Sequence, residues 1–99
     1  MDRPDKWVVI KLPDCYKVLA TWMGGYLSGD YWRLNSGISS VTEDENYFYF
    51  HGFSGSVYQC NKKYYGTSSF SQGISDKIID EVKGSEILTS DFNFLNLNK

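Results

Sequence analysis

Residues 46–52 read Asn-Tyr-Phe-Tyr-Phe-His-Gly, so Tyr47, Phe48, Tyr49 and Phe50 stand in a row. In a β-strand successive side chains point to opposite faces, which puts Phe48 and Phe50 on one side and Tyr47, Tyr49 and His51 on the other. Aromatic residues suit a pleated, half-buried surface, so this segment reads as a strand with its Phe face in the core. Full burial of each Phe contributes about 2–3 kcal/mol. The tyrosines can pack their rings and keep their hydroxyls in water. Both flanks carry turn chemistry. Val41-Thr42 runs into Glu43-Asp44-Glu45-Asn46, an acidic hairpin turn, and Gly52-Phe53-Ser54-Gly55-Ser56 supplies two glycines for positive φ. Val57–Cys60 then pairs back antiparallel. Asn35-Ser36-Gly37 interrupts the strand before this pair as a bulge or corner. Trp32–Cys60 therefore reads as a sharply bent three-stranded meander with residues 47–51 in its centre.

The remaining chain supplies further strands and one helix. Residues 1–5 are polar and read as loose. Lys6–Leu12 is a strand with apolar residues on both faces, and Pro13-Asp14 a turn. Tyr16–Trp22 alternates, with Tyr16, Val18, Ala20 and Trp22 on one face and Lys17, Leu19 and Thr21 on the other, as for a sheet with one face in the core. Three glycines between Met23 and Asp30 imply a loop or wide hairpin turn. Lys62-Lys63-Tyr64-Tyr65-Gly66 is a turn carrying a small cationic and aromatic cluster. Then the period changes: Ile74, Ile78, Ile79 and Val82 fall on one helical face. Ser71 or Ser75 can cap that helix, and Lys83 and Gly84 suit its end. Glu86–Thr89 reads as a short strand, and Phe92, Phe94, Leu95 and Leu97 dock the tail on the sheet or on a partner. The expected fold is α+β: a curved antiparallel sheet of about five strands, either open or closed into a small barrel, with one C-terminal helix.

Composition limits function more than it assigns one. At 99 residues the chain makes one domain large enough for its own core. Its net charge of −2 opposes general affinity for nucleic acid or anionic membrane, which need a basic surface. No apolar run approaches a membrane span, and the start, MDRPDKWVVIKLPD, lacks a signal-peptide core. Cys15 and Cys60 have no metal-ligand spacing and one histidine to join them, so neither a metal site nor another cofactor is expected. Reduced thiols in the cytoplasm are the corresponding expectation.

Candidate chemistry is sparse. His51 and Cys60, on paired strands, could form a Cys–His arrangement, against the plainer reading of a strand histidine and a buried thiol. The glycines at 24, 25 and 29 lack the Lys-Ser/Thr ending of a phosphate loop. Tyr47, Tyr49 and Tyr58 beside Lys62 and Lys63 resemble part of a single-strand nucleic-acid surface, though two lysines on an acidic chain are thin support. A pocket between sheet and glycine loop, near His51, would suit a small sequestered ligand. The loop aromatics point elsewhere. Tyr26, Leu27, Tyr31 and Phe53 lie in or beside glycine-rich connections, where burial is hard and aromatic binding hot spots are common.

Gly24-Gly25-Tyr26-Leu27-Ser28-Gly29-Asp30-Tyr31-Trp32-Arg33-Leu34-Asn35-Ser36-Gly37-Ile38, followed by Ser54-Gly55-Ser56-Val57-Tyr58, resembles short proteins encoded by tailed bacteriophages. The resemblance spans roughly residues 16–66 and carries no catalytic motif. It implies a small accessory protein that binds a host protein, such as a defence system, and inhibits or redirects it in the host cytoplasm. With no assembled catalytic set, the expected activity is binding and occlusion rather than enzymatic turnover. A homodimer joined through edge strands or through the 92–97 tail is compatible with that reading.

Overall fold

The computed structural model describes residues 1–24 and 29–98. In chain order its elements are β1 (Lys6–Lys11), β2 (Tyr16–Met23), β3 (Asp30–Leu34), β4 (Ile38–Glu43), β5 (Tyr47–Gly52), β6 (Val57–Asn61), helix α1 (Ser69–Glu81) and β7 (Glu86–Ile87). They form two antiparallel sheets, β3-β2-β1-β7 and β4-β5-β6, with α1 on the first. The fold is α+β, but the expected single sheet of about five strands is two sheets, and neither closes into a barrel.

Asn35-Ser36-Gly37 is the reason for the split. β3 pairs with β2, whereas β4 pairs with β5, so the chain changes sheets at this corner. The expected meander is therefore β4-β5-β6 alone, with β5 central. Asn35 is buried and extends the β2–β3 ladder by one rung: its N–H donates to the Val18 carbonyl, and its Oδ1 accepts from the Val18 N–H at 2.9 Å. Gly37 has φ +127°, and a Cβ there would stand 2.7 Å from the Phe53 ring. The positive φ requires glycine, and its missing Cβ leaves room for the Phe53 ring.

Burial of sheet one on both faces makes a three-layer molecule. Trp7, Val9, Val18 and Ala20 face Val41, Phe50, Tyr58 and Cys60 of sheet two. Val8, Ile10 and Leu19 face the other way, against Ile74, Ile78 and Ile79 of α1. β2 thus has two core faces rather than one, and even Thr21 is buried. The inter-sheet layer centres on Trp7, whose ring lies 4.6 Å from Tyr65, 5.3 Å from Phe50 and 5.4 Å from Phe94 between centroids. Edge-to-face geometry suits the ring quadrupoles. The Trp7 indole N–H donates to the Asn61 carbonyl at 2.7 Å, so its polar end is satisfied as well.

The helix cap and the N-terminus depart from the sequence reading in detail. Ser68, rather than Ser71 or Ser75, caps α1: its Oγ accepts from the Ser71 N–H, and Ser71 Oγ accepts from the Ser68 N–H. Ser71 and Ser75 are buried. Residues 1–5 are anchored rather than loose. The Asp2 N–H donates to the Val57 carbonyl, and the Asp2 carbonyl accepts from Gln59. The tail docks on the protein's own sheets, as one of the two expected alternatives, with Phe94 buried in the inter-sheet layer.

Candidate interaction surface

The four sheet edges are treated differently. β6 is covered by Asp2, and the Asn61 carbonyl is taken by the Trp7 indole. β4 is covered at Val41 by one side chain: Asn98 Oδ1 accepts the Val41 N–H at 2.7 Å, and Asn98 Nδ2 donates to the Val41 carbonyl at 2.8 Å. A carboxamide carries the donor and acceptor of a peptide group, so Asn98 acts as one residue of an extra strand. β7 is two residues long. β3, five residues long, has no partner on its outer side among the described residues. Unpaired edges are where proteins add strands, and chains that avoid this cover or charge them.

Above this edge sits an ordered aromatic platform. Tyr31 lies directly across from Trp22, and the two rings stack at 5.0 Å with an interplanar angle of 6°. Trp22 is fixed from below by Tyr58, edge-on at 6.3 Å, and its indole N–H donates to the Arg3 carbonyl. The Arg33 guanidinium lies 5.9 Å from the Trp22 ring, a cation–π arrangement, and is 3.9 Å from Asp2. Tyr31 remains 51% exposed. Trp32, 42% exposed, projects from the opposite face of the same strand. Both rings lie on a regular strand, so side-chain entropy is the main cost of engaging them.

The two described members of the expected aromatic set, Tyr31 and Phe53, do not share one patch. Tyr26 and Leu27 lie outside the described residues. Phe53 is 66% exposed, but its ring covers Gly37 and its N–H donates to the Gly37 carbonyl. Ser54 is tied to the same corner through Ser36. Phe53 thus lids the inter-sheet corner beside Cys15, whereas Tyr31 is opposite Trp22. Those ends of β2 are roughly 20 Å apart at ~3.3 Å per residue. The sequence reading assigns no site role to Trp22, Trp32 or Arg33. The one signal is the alternation in Asp30–Leu34, which puts Tyr31 and Arg33 on one face.

The nucleic-acid set is also separated. Tyr47 and Tyr49 share the outer face of sheet two, but Tyr58 lies opposite Phe50 and is buried between the sheets. Burial pushes the Tyr58 hydroxyl above the usual phenol range. Lys62 reaches across to the β4–β5 hairpin, 2.7 Å from Glu43 Oε2 and 4.8 Å from the Phe48 ring. Lys63 is exposed. Tyr49 donates to Asp44 Oδ2 at 2.7 Å, which holds the phenol up and the carboxyl down; Asn46 and Tyr47 N–H groups also lower Asp44. Asp44 is therefore the organising residue of the acidic turn.

His51 and Cys60 lie on opposite faces of sheet two, because Cys60 is opposite Phe48 while His51 shares the face of Tyr49. Burial raises the Cys60 thiol well above its ordinary range, and both cysteines are free. An open groove does occur, but between the end of α1 and β7, lined by Ile79, Asp80, Lys83 and Glu86 rather than near His51. Among the described residues no three His, Cys, Asp or Glu side chains converge as metal ligands, and no helix is long and apolar enough to cross a membrane.

These features define a two-sheet α+β module with a platform of stacked rings beside the β3 edge, which no described residue covers. Compared with known proteins, the chain matches no family model, no curated protein and no solved structure.

Proposed function

We propose that the protein is a binding module that docks on a host protein through the Trp22–Tyr31–Arg33 platform and acts by occlusion in the host cytoplasm. One observation carries this reading: Tyr31 is half exposed yet held by a parallel stack on a ring that is itself fixed by Tyr58 and Arg3. An immobilised, amphipathic ring flanked by arginine is the composition of protein-binding hot spots. The resemblance of residues 16–66 to phage-encoded accessory proteins supplies the host context. The nucleic-acid reading has less support, since Tyr58 is buried and Lys62 is paired.

The test is capture from bacterial lysate, with and without nuclease, by the natural chain and by Tyr31→Ala. A single stoichiometric protein that survives nuclease and is lost with Tyr31→Ala is expected. Equal capture by both chains, or capture abolished by nuclease, would overturn the assignment.

A further inference from the structure

The main-chain edge of β3 makes a second, separate statement. Which of its peptide groups face outward follows from the ladder to β2. The Asn35 N–H donates to the Val18 carbonyl, and the register pairs Ala20 with Arg33 and Trp22 with Tyr31. Hydrogen-bonded pairs alternate along an antiparallel ladder, so residues 35, 33 and 31 point their main-chain groups at β2. Asp30, Trp32 and Leu34 therefore direct N–H and C=O away from the sheet. These three are spaced symmetrically about Trp32, at the middle of the strand.

We infer that this edge pairs with the β3 edge of a second copy of the chain, antiparallel, about a two-fold axis through Trp32. A two-fold perpendicular to the sheet keeps like faces together, so residues of the same parity must lie opposite each other. The register centred on Trp32 meets this condition over the whole strand. Trp32 exchanges hydrogen bonds with its own copy, and Asp30 with Leu34 on either side, giving about six main-chain hydrogen bonds. Tyr31 then lies across from Arg33 of the other copy in the closer, non-hydrogen-bonded type of pair, where a guanidinium can cover a ring. On the opposite face the two Trp32 rings adjoin. No like charges are opposed, because Asp30 meets Leu34 and Arg33 meets Tyr31.

Side-chain complementarity thus favours a second copy over an arbitrary strand. The joined sheet has eight strands, with both Tyr31 platforms on one side and both helices on the other. Five residues a side is a small interface, so the dimer is in reversible exchange rather than permanent. The inference rests on main-chain geometry and not on the host-protein reading.

Sedimentation equilibrium of the purified chain alone tests it. A concentration-dependent dimer is expected below roughly 500 µM. Trp32→Lys, which sets two ammonium groups against each other at the axis, is expected to weaken it at least about tenfold. Register is read by disulfide trapping in a Cys15→Ser background, with air and a copper catalyst as oxidant. Trp32→Cys places two thiols on Cα atoms about 5.5 Å apart and is expected to cross-link. Arg33→Cys lies about 8 Å from its own copy and is not. A monomer throughout the concentration range, an unchanged Trp32→Lys dimer, or equal cross-linking by both cysteines would each overturn the inference. Because only this chain is present, failure of the natural chain to capture any host protein, with the dimer intact, would reject the proposed function and leave the dimer standing.

Discussion

β3 and β4 are chain neighbours separated only by Asn35-Ser36-Gly37, and each ends a sheet, yet their outer edges differ in kind. At β4 the far end of the chain returns, buries Phe94 between the sheets, and sets Asn98 against both main-chain groups of Val41. At β3 no described residue returns, and the strand presents Tyr31 and Trp32 half exposed. The difference bears on how exposure is interpreted. An exposed aromatic is unremarkable on its own. It gains meaning in a chain that brings its N-terminus to β6 and its C-terminus to β4 but brings neither to β3.

Breaking the covered side has the largest effect. Phe94 contacts Trp7, Phe48, Phe50 and Tyr65, and Phe94→Ala is expected to cost about 3–5 kcal/mol in urea unfolding. The same variant should speed hydrogen exchange at the Val41 amide, because Asn98 depends on the docked tail. Asn98→Ala removes only the cap. It is expected to cost about 1–3 kcal/mol, again with faster Val41 exchange. An unchanged Val41 amide would mean that water satisfies β4 as well as Asn98 does, and the contrast with β3 would fail.

Alkaline pH attacks the covered layer in a graded way. Burial raises Cys60 well above the usual thiol range and also raises Tyr65 and Tyr58. An acid whose folded pKa is raised stabilises the fold fully below its unfolded pKa, and that contribution is lost as pH rises toward the folded value. Stability should therefore fall above roughly pH 8.5, where an unfolded thiol ionises, by up to about 1.4 kcal/mol per pH unit for Cys60 alone. Thermal unfolding between pH 8 and 10 reads this, and Cys60→Ala is expected to flatten the first part of the slope.

Tyr31→Ala sharpens the comparison from the open side. Its expected effect on stability is about 0.5–1.5 kcal/mol, the worth of its stack on Trp22, while capture is lost. A loss of several kcal/mol would place Tyr31 with the core rather than with a binding surface.

Much of this architecture was legible. The aromatic run predicts β5 and its inward Phe50, and the acidic run and glycine hairpin predict its neighbours on either side. The helix followed from the spacing of Ile74, Ile78 and Ile79. The cap did not, because residues 68, 69, 71 and 75 are all serine and local sequence does not choose among them. Trp22 and Trp32 are both strand tryptophans, yet one is fixed beneath Tyr31 and the other is 42% exposed. Tyr58 read as a base-stacking residue because its neighbours Val57 and Gln59 do not reveal which face of β6 turns inward.

From the sequence alone came the elements and the alternation within them, since period, turn chemistry and ring content act over a few residues. Tertiary structure decided which sheet each strand joined, which face of β2 met which layer, and which edges the described residues cover. Those outcomes depend on contacts between residues as distant as Val41 and Asn98 or Asp2 and Gln59, which no local pattern encodes. The corner at Asn35-Ser36-Gly37 marks the boundary between the two kinds of information. Its glycine announces a bend, but only the packing of Phe53 over it and the pairing on either side make it the passage from one sheet to the other.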